Sequence, residues 1–293
     1  MSEPGFSRIA ILGLGLMGGS IAAGLKQRGY AGRITAWDRN ADALAQGASL
    51  GLIDEAAPDV PAAVGESDFI VLAVPVRASA DVLSQFDAGD RVLTDVGSVK
   101  QHIVEAVRQA WGHVPAGFVP GHPIAGSERH GVAAADPDLF LQHRVILTPL
   151  PYTADEATSR VERLWRFLGA EVVSMSPAHH DDVLAQTSHL PHLLAYALVD
   201  TLAAGDDSLE VFEYAAGGFR DFSRIAASDP VMWRDIFLTN RDPVLDVLQR
   251  YQADLETLRN LIAEGDADAM KQLFERAKAA RDHLAALQQA RRR

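Results

Sequence analysis

The chain has 293 residues, of which 48% are hydrophobic and 23% are charged, a balance typical of a globular protein rather than a disordered one. Its formal net charge of −12 at pH 7 argues against a nucleic-acid partner. The absence of cysteine excludes disulfides, thiolate nucleophiles and cysteine metal sites, and it fits a cytoplasmic location. We expect no membrane partner, because the apolar stretch 9–25 carries five glycines and lacks the basic start of a signal peptide.

A glycine-rich turn follows the first apolar segment. The sequence RIAILGLGLMGGS places Gly13, Gly15 and Gly18 in the spacing G-x-G-x-x-G, and a helical stretch comes next. A second apolar segment then ends at Asp38, twenty residues after Gly18. Strand, glycine turn, helix, strand and terminal acid together predict a dinucleotide-binding unit. The glycine spacing alone would also fit an ordinary turn.

The parts of this unit have distinct predicted roles. Gly13 permits the tight turn, Gly15 lets a pyrophosphate approach the backbone, and Gly18 allows the helix to pack closely on the strand. Asp38 would accept hydrogen bonds from the adenosine ribose and repel a 2′-phosphate, which favours NAD, while Arg39 beside it keeps NADP as the alternative. The predicted cofactor-binding set is Gly13, Gly15, Leu16, Met17, Gly18, Asp38, Arg39, Val74 and Pro75.

Strand-like and helix-like segments continue to alternate up to about residue 176. The strand-like segments are apolar runs that end in turn residues, and they lie at 68–75, 91–100, 117–123, 143–149 and 170–175. This alternation predicts a doubly wound α/β fold with a parallel sheet. Ligands bind such sheets beyond the carboxyl ends of the strands, where the pattern places Ser98 and His122.

His122 is the leading candidate for acid–base chemistry. Its neighbours Gly121 and Pro123 restrict the local backbone, and a histidine near the nicotinamide can accept a hydroxyl proton while hydride leaves the adjacent carbon. A core histidine satisfied by backbone contacts is the alternative. Ser98 is predicted to cap the helix that follows it and to offer its hydroxyl to a substrate hydroxyl.

Long amphipathic helices replace the strands after about residue 176. We therefore predict a dinucleotide-binding domain at 1–176 and an all-helical substrate and dimerisation domain at 177–293. The second domain carries an apolar stripe at helical spacing, and we expect a partner subunit to bury this stripe. A compact monomeric helical domain is the alternative. The stripe comprises Val244, Leu245, Leu248, Tyr251, Leu255, Leu258, Leu261 and Ile262.

The segment TSHLPHLL contains His189 and His192 in the spacing H-x-x-H, which could supply two ligands of a metal site. Their neighbours at 179–182 are two histidines and two aspartates, but adjacent residues on a helix point in different directions. No third ligand is therefore fixed at a suitable spacing, and we expect no metal. Substrate contact or capping at a helix break is the expected role of this pair.

Arginine is concentrated at 217–236, within a chain that is acidic overall. Arg220 and Arg224 are candidates for binding a substrate carboxylate, with Asp221 orienting the guanidinium. Surface charges paired with each other are the alternative. The residues alone thus predict a nicotinamide-dependent enzyme that oxidises a hydroxyl-bearing, anionic small molecule.

Five motifs give the chain a resemblance to the prephenate/arogenate (cyclohexadienyl) dehydrogenase family of tyrosine biosynthesis. They occur in the family's order and read GLGLMGGSIAAGLK, TDVGSVK, GHPIAGSERHG, SHLPH and GGFRDFSRIAASDPVMWRDI. The resemblance implies oxidative decarboxylation with NAD(P), of prephenate to 4-hydroxyphenylpyruvate or of arogenate to tyrosine. It also implies the minimal monofunctional form of the family and a homodimer built through the C-terminal helices.

The same resemblance implies a role for individual residues. His122 would polarise the ring 4-hydroxyl, Ser98 would hydrogen-bond at that hydroxyl, and Arg224 would anchor a substrate carboxylate. Trp233 matches an aromatic that family members can contribute from a neighbouring subunit. The implied substrate-binding set is Arg224, His192, His189, Ser127, Arg220, Asp221 and Trp233, with Glu128 beside Ser127.

Two other functions compete with this one. A dehydrogenase of the β-hydroxyacid type usually relies on a lysine in its helical region, whereas this chain has none there before Lys271. A non-catalytic NAD-binding sensor would keep the three glycines but has no need of His122 and Arg224.

Overall fold

The computed structural model describes residues 4–127, 129–205 and 208–291. A parallel sheet in the first half has the strand order β3-β2-β1-β4-β5-β6. This is the order of a doubly wound dinucleotide-binding sheet, in which the chain reverses its winding direction between β1 and β4. The strands are β1 (Arg8–Leu12), β2 (Arg33–Trp37), β3 (Glu55–Ala56), β4 (Phe69–Leu72), β5 (Val92–Asp95) and β6 (Phe118–Val119).

Helices cover both faces of this sheet, which explains why its strands are apolar throughout. Successive side chains of a strand point to opposite faces. On β1, Ile9 and Ile11 join the core beneath α1, α2 and α6, while Ala10 and Leu12 join the core beneath α3, α4 and α5. These helices are α1 (Leu16–Gln27), α2 (Ala41–Ser49), α3 (Val60–Val64), α4 (Ser79–Leu83), α5 (Lys100–Trp111) and α6 (Asp155–Phe167).

A second, smaller sheet corrects the prediction that 117–123 is a single parallel strand. It consists of β7 (Gly121–Pro123), β8 (Arg144–Leu147) and β9 (Glu171–Ser174), and β7 runs antiparallel to β8. Pro120 has no N–H to continue the ladder, so β6 ends at Val119 and the chain changes sheets. His122 consequently lies on a strand of the small sheet, opposite Ile146.

The second half is helical, as expected. Its helices are α7 (Pro177–Leu184), α8 (Leu190–Ala203), α9 (Ser208–Glu213), α10 (Gly217–Ser223), α11 (Pro230–Thr239), α12 (Arg241–Glu264) and α13 (Ala267–Arg291). The chain divides into two compact units, Met1–Val244 and Leu245–Arg293, so α7 to α11 belong with the sheets. The functional boundary between residues 176 and 177 stays a prediction.

The second unit, taken by itself, leaves large apolar side chains in contact with solvent. Leu245, Leu255 and Ile262 on α12 are exposed, and so are Phe274 and Leu284 on α13. Among the helices of the described residues, none is both long enough and apolar enough to cross a membrane.

Candidate active site

The turn between β1 and α1 is shaped by its glycines. Gly13 has a φ of +102°, and a Cβ atom there would lie 2.5 Å from the carbonyl oxygen of Ala73. At Gly18 a Cβ atom would collide with the carbonyl oxygen of Gly13, so the helix starts directly against the turn. At Gly15, by contrast, a Cβ atom would meet no atom of the described residues within 4 Å. The turn therefore opens onto free space at its middle glycine.

The first turn of α1 borders this space. Its N-cap is Gly15, which has no side chain to cap the helix, and the turn contains no acidic residue. The N–H groups at the start of a helix have no intrahelical acceptors, and together with the helix dipole they favour an anion. The N–H groups of Leu16, Met17 and Gly18 therefore fit the pyrophosphate of a dinucleotide.

Asp38 lies at the end of β2 beside this turn. One of its carboxylate oxygens accepts from the N–H of Leu14 at 2.7 Å, and the other accepts from the N–H of Asn40 at 2.8 Å. Each carboxylate oxygen has a second lone pair, which is suited to a ribose hydroxyl. Arg39 is exposed, and the side chain of Val74 after β4 borders Gly13. Pro75 is exposed next to Val74. The predicted cofactor residues thus gather where β1, β2 and β4 end.

A buried ion pair holds the strand of His122 in place. Asp95, the last residue of β5, accepts from the N–H of Gly121 at 3.1 Å and from the ammonium of Lys100. That ammonium also donates to the carbonyl oxygen of Gly121 at 2.6 Å. Burial lowers the pKa of Lys100, and the charge of Asp95 opposes this shift. These bonds fix the start of β7 against the end of β5, and with it the backbone of His122.

His122 is one end of a chain of three side chains. Its Nδ1 lies 2.9 Å from Nε2 of His180, and Nδ1 of His180 lies 2.8 Å from the Asp181 carboxylate. His180 and Asp181 are fully buried, and His122 is half-buried. Burial lowers the pKa of His122 well below its ordinary value, and the neighbouring His180, Lys100 and His189 lower it further. The pKa of His180 is also lowered, chiefly by burial. Both imidazoles are therefore neutral near pH 7.

Asp181 also caps α5, which corrects the role predicted for Ser98. One carboxylate oxygen accepts from the N–H of Lys100 and the other from the N–H of Gln101, both at 2.8 Å. The helix begins at Lys100 after Val99, and the N-cap side chain makes no capping bond. The prediction that Ser98 caps this helix is therefore wrong, because a carboxylate from α7 supplies two acceptors. Ser98 lies partly exposed beyond the end of β5.

His189 is tied to the same cluster through Asn240. The Asn240 amide donates to the Asp181 carbonyl oxygen at 2.9 Å and contacts Nδ1 of His189 at 3.0 Å. Burial lowers the pKa of His189 to about 4. A single π-helical turn, Ala185–His189, joins α7 to α8. Pro191, which has no N–H to donate to the preceding turn, follows it.

His192, Trp233 and Arg224 form the neighbouring part of the site. The indole of Trp233 stacks on the imidazole of His192, with ring centroids 3.7 Å apart and an interplanar angle of 21°. Nδ1 of His192 contacts the carbonyl oxygen of Ser188 at 2.8 Å. Burial lowers the pKa of His192, and so does the positive charge of Arg224. Trp233 is buried against His192 of its own chain, and its contribution to a neighbouring subunit stays a prediction.

Other predicted residues are not drawn into this cluster. Arg220 and Asp221 are exposed on α10, and their side chains form no hydrogen bond or ion pair with the described residues. Ser127 is exposed and accepts from the N–H of Arg129 at 2.9 Å. Glu128 lies outside the described residues. Within the described ranges, no three histidine or acidic side chains are arranged to hold a metal ion.

Sequence reasoning missed the polar residues that support His122. Adjacent residues were expected to point apart, yet His180 and Asp181 bond to each other through their side chains. The available signal was the run HHDD at 179–182, whose spacing suggested only a metal site. The missed residues are Asp95, Lys100, His180, Asp181 and Asn240.

Comparison with known proteins places this site in context. The family model described as "Prephenate dehydrogenase, nucleotide-binding domain" matches residues 21–174, and "Prephenate dehydrogenase, dimerization domain" matches residues 176–276. The cyclohexadienyl dehydrogenase of Zymomonas mobilis is 37% identical over 282 residues, which cover 94% of this chain and 95% of that protein.

Solved structures agree with these matches. Prephenate dehydrogenase of Aquifex aeolicus, in complex with hydroxyphenyl propionate and NAD+, superimposes with a TM-score of 0.88 at 37% identity. The match covers 95% of this chain and 98% of that one. Synechocystis arogenate dehydrogenase gives a TM-score of 0.78 at 29% identity, covering 94% and 99% of the two chains.

Proposed function

Because this chain belongs to the prephenate dehydrogenase family, we propose that it oxidatively decarboxylates prephenate, arogenate or both in tyrosine biosynthesis, with NAD as the cofactor. The observation that carries the proposal is His122, a neutral imidazole at the carboxyl end of the sheet. The glycine turn after β1 leaves space for a dinucleotide. A dehydrogenase of the β-hydroxyacid type is not supported, since the family match spans both halves of the chain.

Backbone groups and one acid would hold the cofactor. The N–H groups of Leu16, Met17 and Gly18 suit the pyrophosphate, and Asp38 suits the adenosine ribose. NAD bound there would supply the acceptor for the hydride that leaves the substrate ring. A 2′-phosphate would face the Asp38 carboxylate, so we expect NAD to be preferred over NADP.

The substrate's ring hydroxyl is the group on which His122 would act. Its neutral imidazole accepts the hydroxyl proton or hydrogen bond as the ring carbon is oxidised, and Ser98 would contact the same hydroxyl. Arg224, beside His192 and Trp233, would pair with a carboxylate of the substrate. Loss of CO2 makes the ring aromatic, which drives the reaction strongly forward. The residues therefore need to orient the substrate, accept a proton and exclude water.

The helical half would also make a homodimer. Residues 176–276 match a dimerization domain, and α12 and α13 expose the apolar side chains that a partner would cover. A cytoplasmic location stays a prediction.

The first experiment is an absorbance assay at 340 nm with the purified protein. Prephenate and arogenate would each be tested with NAD and with NADP, and NAD binding would be measured separately by calorimetry. We expect reduction of NAD with at least one substrate. Binding of NAD without turnover in any of the four pairings would refute the proposed enzyme and favour a non-catalytic NAD sensor.

A further inference from the structure

The residues behind His122 are buried, hydrogen-bonded and unused by the mechanism above. His180 and Asp181 are fully buried on α7, where a histidine and an acid would cost free energy unless they were paired. They form a continuous chain with His122, through contacts of 2.9 Å and 2.8 Å. The chain ends at the half-buried imidazole that faces the proposed substrate site.

The chemistry of these groups determines where the protons lie. An ionised carboxylate can only accept, so Nδ1 of His180 must donate to Asp181. In a neutral His180 the other nitrogen, Nε2, is then an acceptor. Nδ1 of His122 must therefore donate to it, which leaves Nε2 of His122 without a proton.

We propose that His180 and Asp181 are positioning residues that hold His122 in the tautomer with a free Nε2, the form able to accept the substrate's hydroxyl proton. The proposal rests on the proposed function for the identity of that proton. In this step the substrate O–H bond breaks and an N–H bond forms at Nε2 of His122. The resulting imidazolium is stabilised through Nδ1–H by His180, whose own Nδ1–H stays bonded to Asp181.

The backbone contacts of Asp181 make this arrangement rigid. The oxygen that accepts from His180 also accepts from the N–H of Lys100, and the other oxygen accepts from Gln101. The carboxylate therefore cannot rotate away from His180 without uncapping α5. A held carboxylate gives His180 a single orientation, and through it the imidazole of His122.

Charged and titratable groups from every adjoining element act on this chain. Lys100 on α5 and His189 on the π-turn disfavour a protonated His122, whereas Asp181 and Asp95 favour a protonated His180. In the arrangement proposed here, both histidines remain neutral above the acid range. Protonation of His180 would reverse its bond to His122 and place a proton on Nε2 of the base. Activity is therefore expected to fall when the pH is low enough to protonate His180.

The kinetic test compares His180→Leu, which removes both nitrogens, with His180→Gln, whose amide oxygen can still accept from His122. The matched controls are His179→Gln and Asp182→Asn, since both residues are exposed beside the buried pair. We expect kcat to fall about 10- to 100-fold in His180→Leu, with partial recovery in His180→Gln. KM and NAD affinity should change less than threefold, and both controls should behave as wild type. A kcat for His180→Leu equal to that of His179→Gln would overturn the proposal.

A second measurement separates this proposal from the proposed function. Long-range proton–nitrogen NMR spectra of the ¹⁵N-histidine protein report which ring nitrogen carries the proton, with His122→Asn used for assignment. We expect a protonated Nδ1 and a bare Nε2 on His122, and a mixture of tautomers in His180→Leu. If this pattern holds while no substrate is turned over, the arrangement stands and the proposed function fails. A proton on Nε2 of His122 near pH 7 would refute the arrangement whatever the activity. If His180→Leu does not fold, the wild-type spectrum alone decides the arrangement, and His180→Gln should keep the wild-type tautomer because its amide oxygen still accepts from Nδ1 of His122.

Discussion

The glycine turn and the histidine cluster are built in opposite ways. The turn uses six consecutive residues and works through backbone N–H groups and the absence of side chains. The cluster takes side chains from β7, α7, the π-turn and the residue that follows α11. A local motif of this kind can be read from the sequence, whereas a cluster held by tertiary contacts cannot. It also follows that different substitutions should damage each region.

Loss of the base should have the largest effect and should separate the two regions. In His122→Asn the proton acceptor is removed while the glycine turn is untouched, so turnover should fall about 10²- to 10⁴-fold. NAD affinity should remain within about twofold, as measured by calorimetry. Near-normal turnover in this variant would contradict the assignment of His122 as the proton acceptor.

The buried histidines should make the cluster acid-sensitive. His189 has a folded pKa of about 4 and an unfolded value near 6.5, so its neutral form contributes stability above pH 6.5 that is lost as the pH falls toward 4. This shift of the His189 pKa between the unfolded and folded states corresponds to about 3 kcal/mol of stability. Between pH 7 and pH 4, the unfolding free energy of the wild type should therefore fall by about 3 kcal/mol more than that of His189→Asn.

Urea unfolding at several pH values checks this expectation. The exposed His179→Asn serves as the control and should keep the wild-type pH dependence. Identical pH dependence in wild type and His189→Asn would show that His189 is not buried in its neutral form.

Two glycine substitutions test how the turn works. Gly13→Ala places a side chain at a φ of +102° and against Ala73, so it should cost at least about 2 kcal/mol of stability and also weaken NAD binding. Gly15→Ala points into open space, so stability should change by less than about 1 kcal/mol. Its NAD affinity should still fall by about tenfold, since the methyl group occupies the space of the pyrophosphate.

Thermal unfolding and calorimetry distinguish these two outcomes. Unchanged NAD affinity in a folded Gly15→Ala protein would show that the cofactor does not approach the turn at this point.

Arg224 should have the smallest effect of the series. It is exposed, and its expected partner is a carboxylate that is present before and during the reaction. Arg224→Ala should therefore raise KM for the substrate about tenfold and leave kcat nearly unchanged. Steady-state kinetics with prephenate and arogenate test this, with Arg166→Ala, at an exposed arginine of α6, as the control. An unchanged KM would mean that Arg224 does not bind the substrate.

The sequence predicted the fold well because most strands are short apolar runs with clear ends. The misassigned segment was 117–123, where Pro120 ends one strand and a change of sheet begins another. A change of sheet depends on which strand lies alongside, and β8 is more than twenty residues further along the chain.

The site was predictable only in part for the same reason. His122 stood out because its neighbours are unusual, and Arg224, His192 and Trp233 came from the resemblance. Ser98 failed as a cap because its competitor, Asp181, is 81 residues from Lys100 in sequence. Side chains that act through long-range bonds leave little local pattern.

The bond between Asp181 and α5 limits how far the two halves of this chain are interchangeable. A fragment ending at the predicted boundary would leave the first N–H groups of α5 without their acceptors and His122 without its partner. A chimaera that joins this sheet to another helical half must therefore supply an acid at the position of Asp181. We therefore expect the nucleotide-binding half alone to be less stable than the whole chain, and recombination near residue 176 to be tolerated best between chains that share this acid.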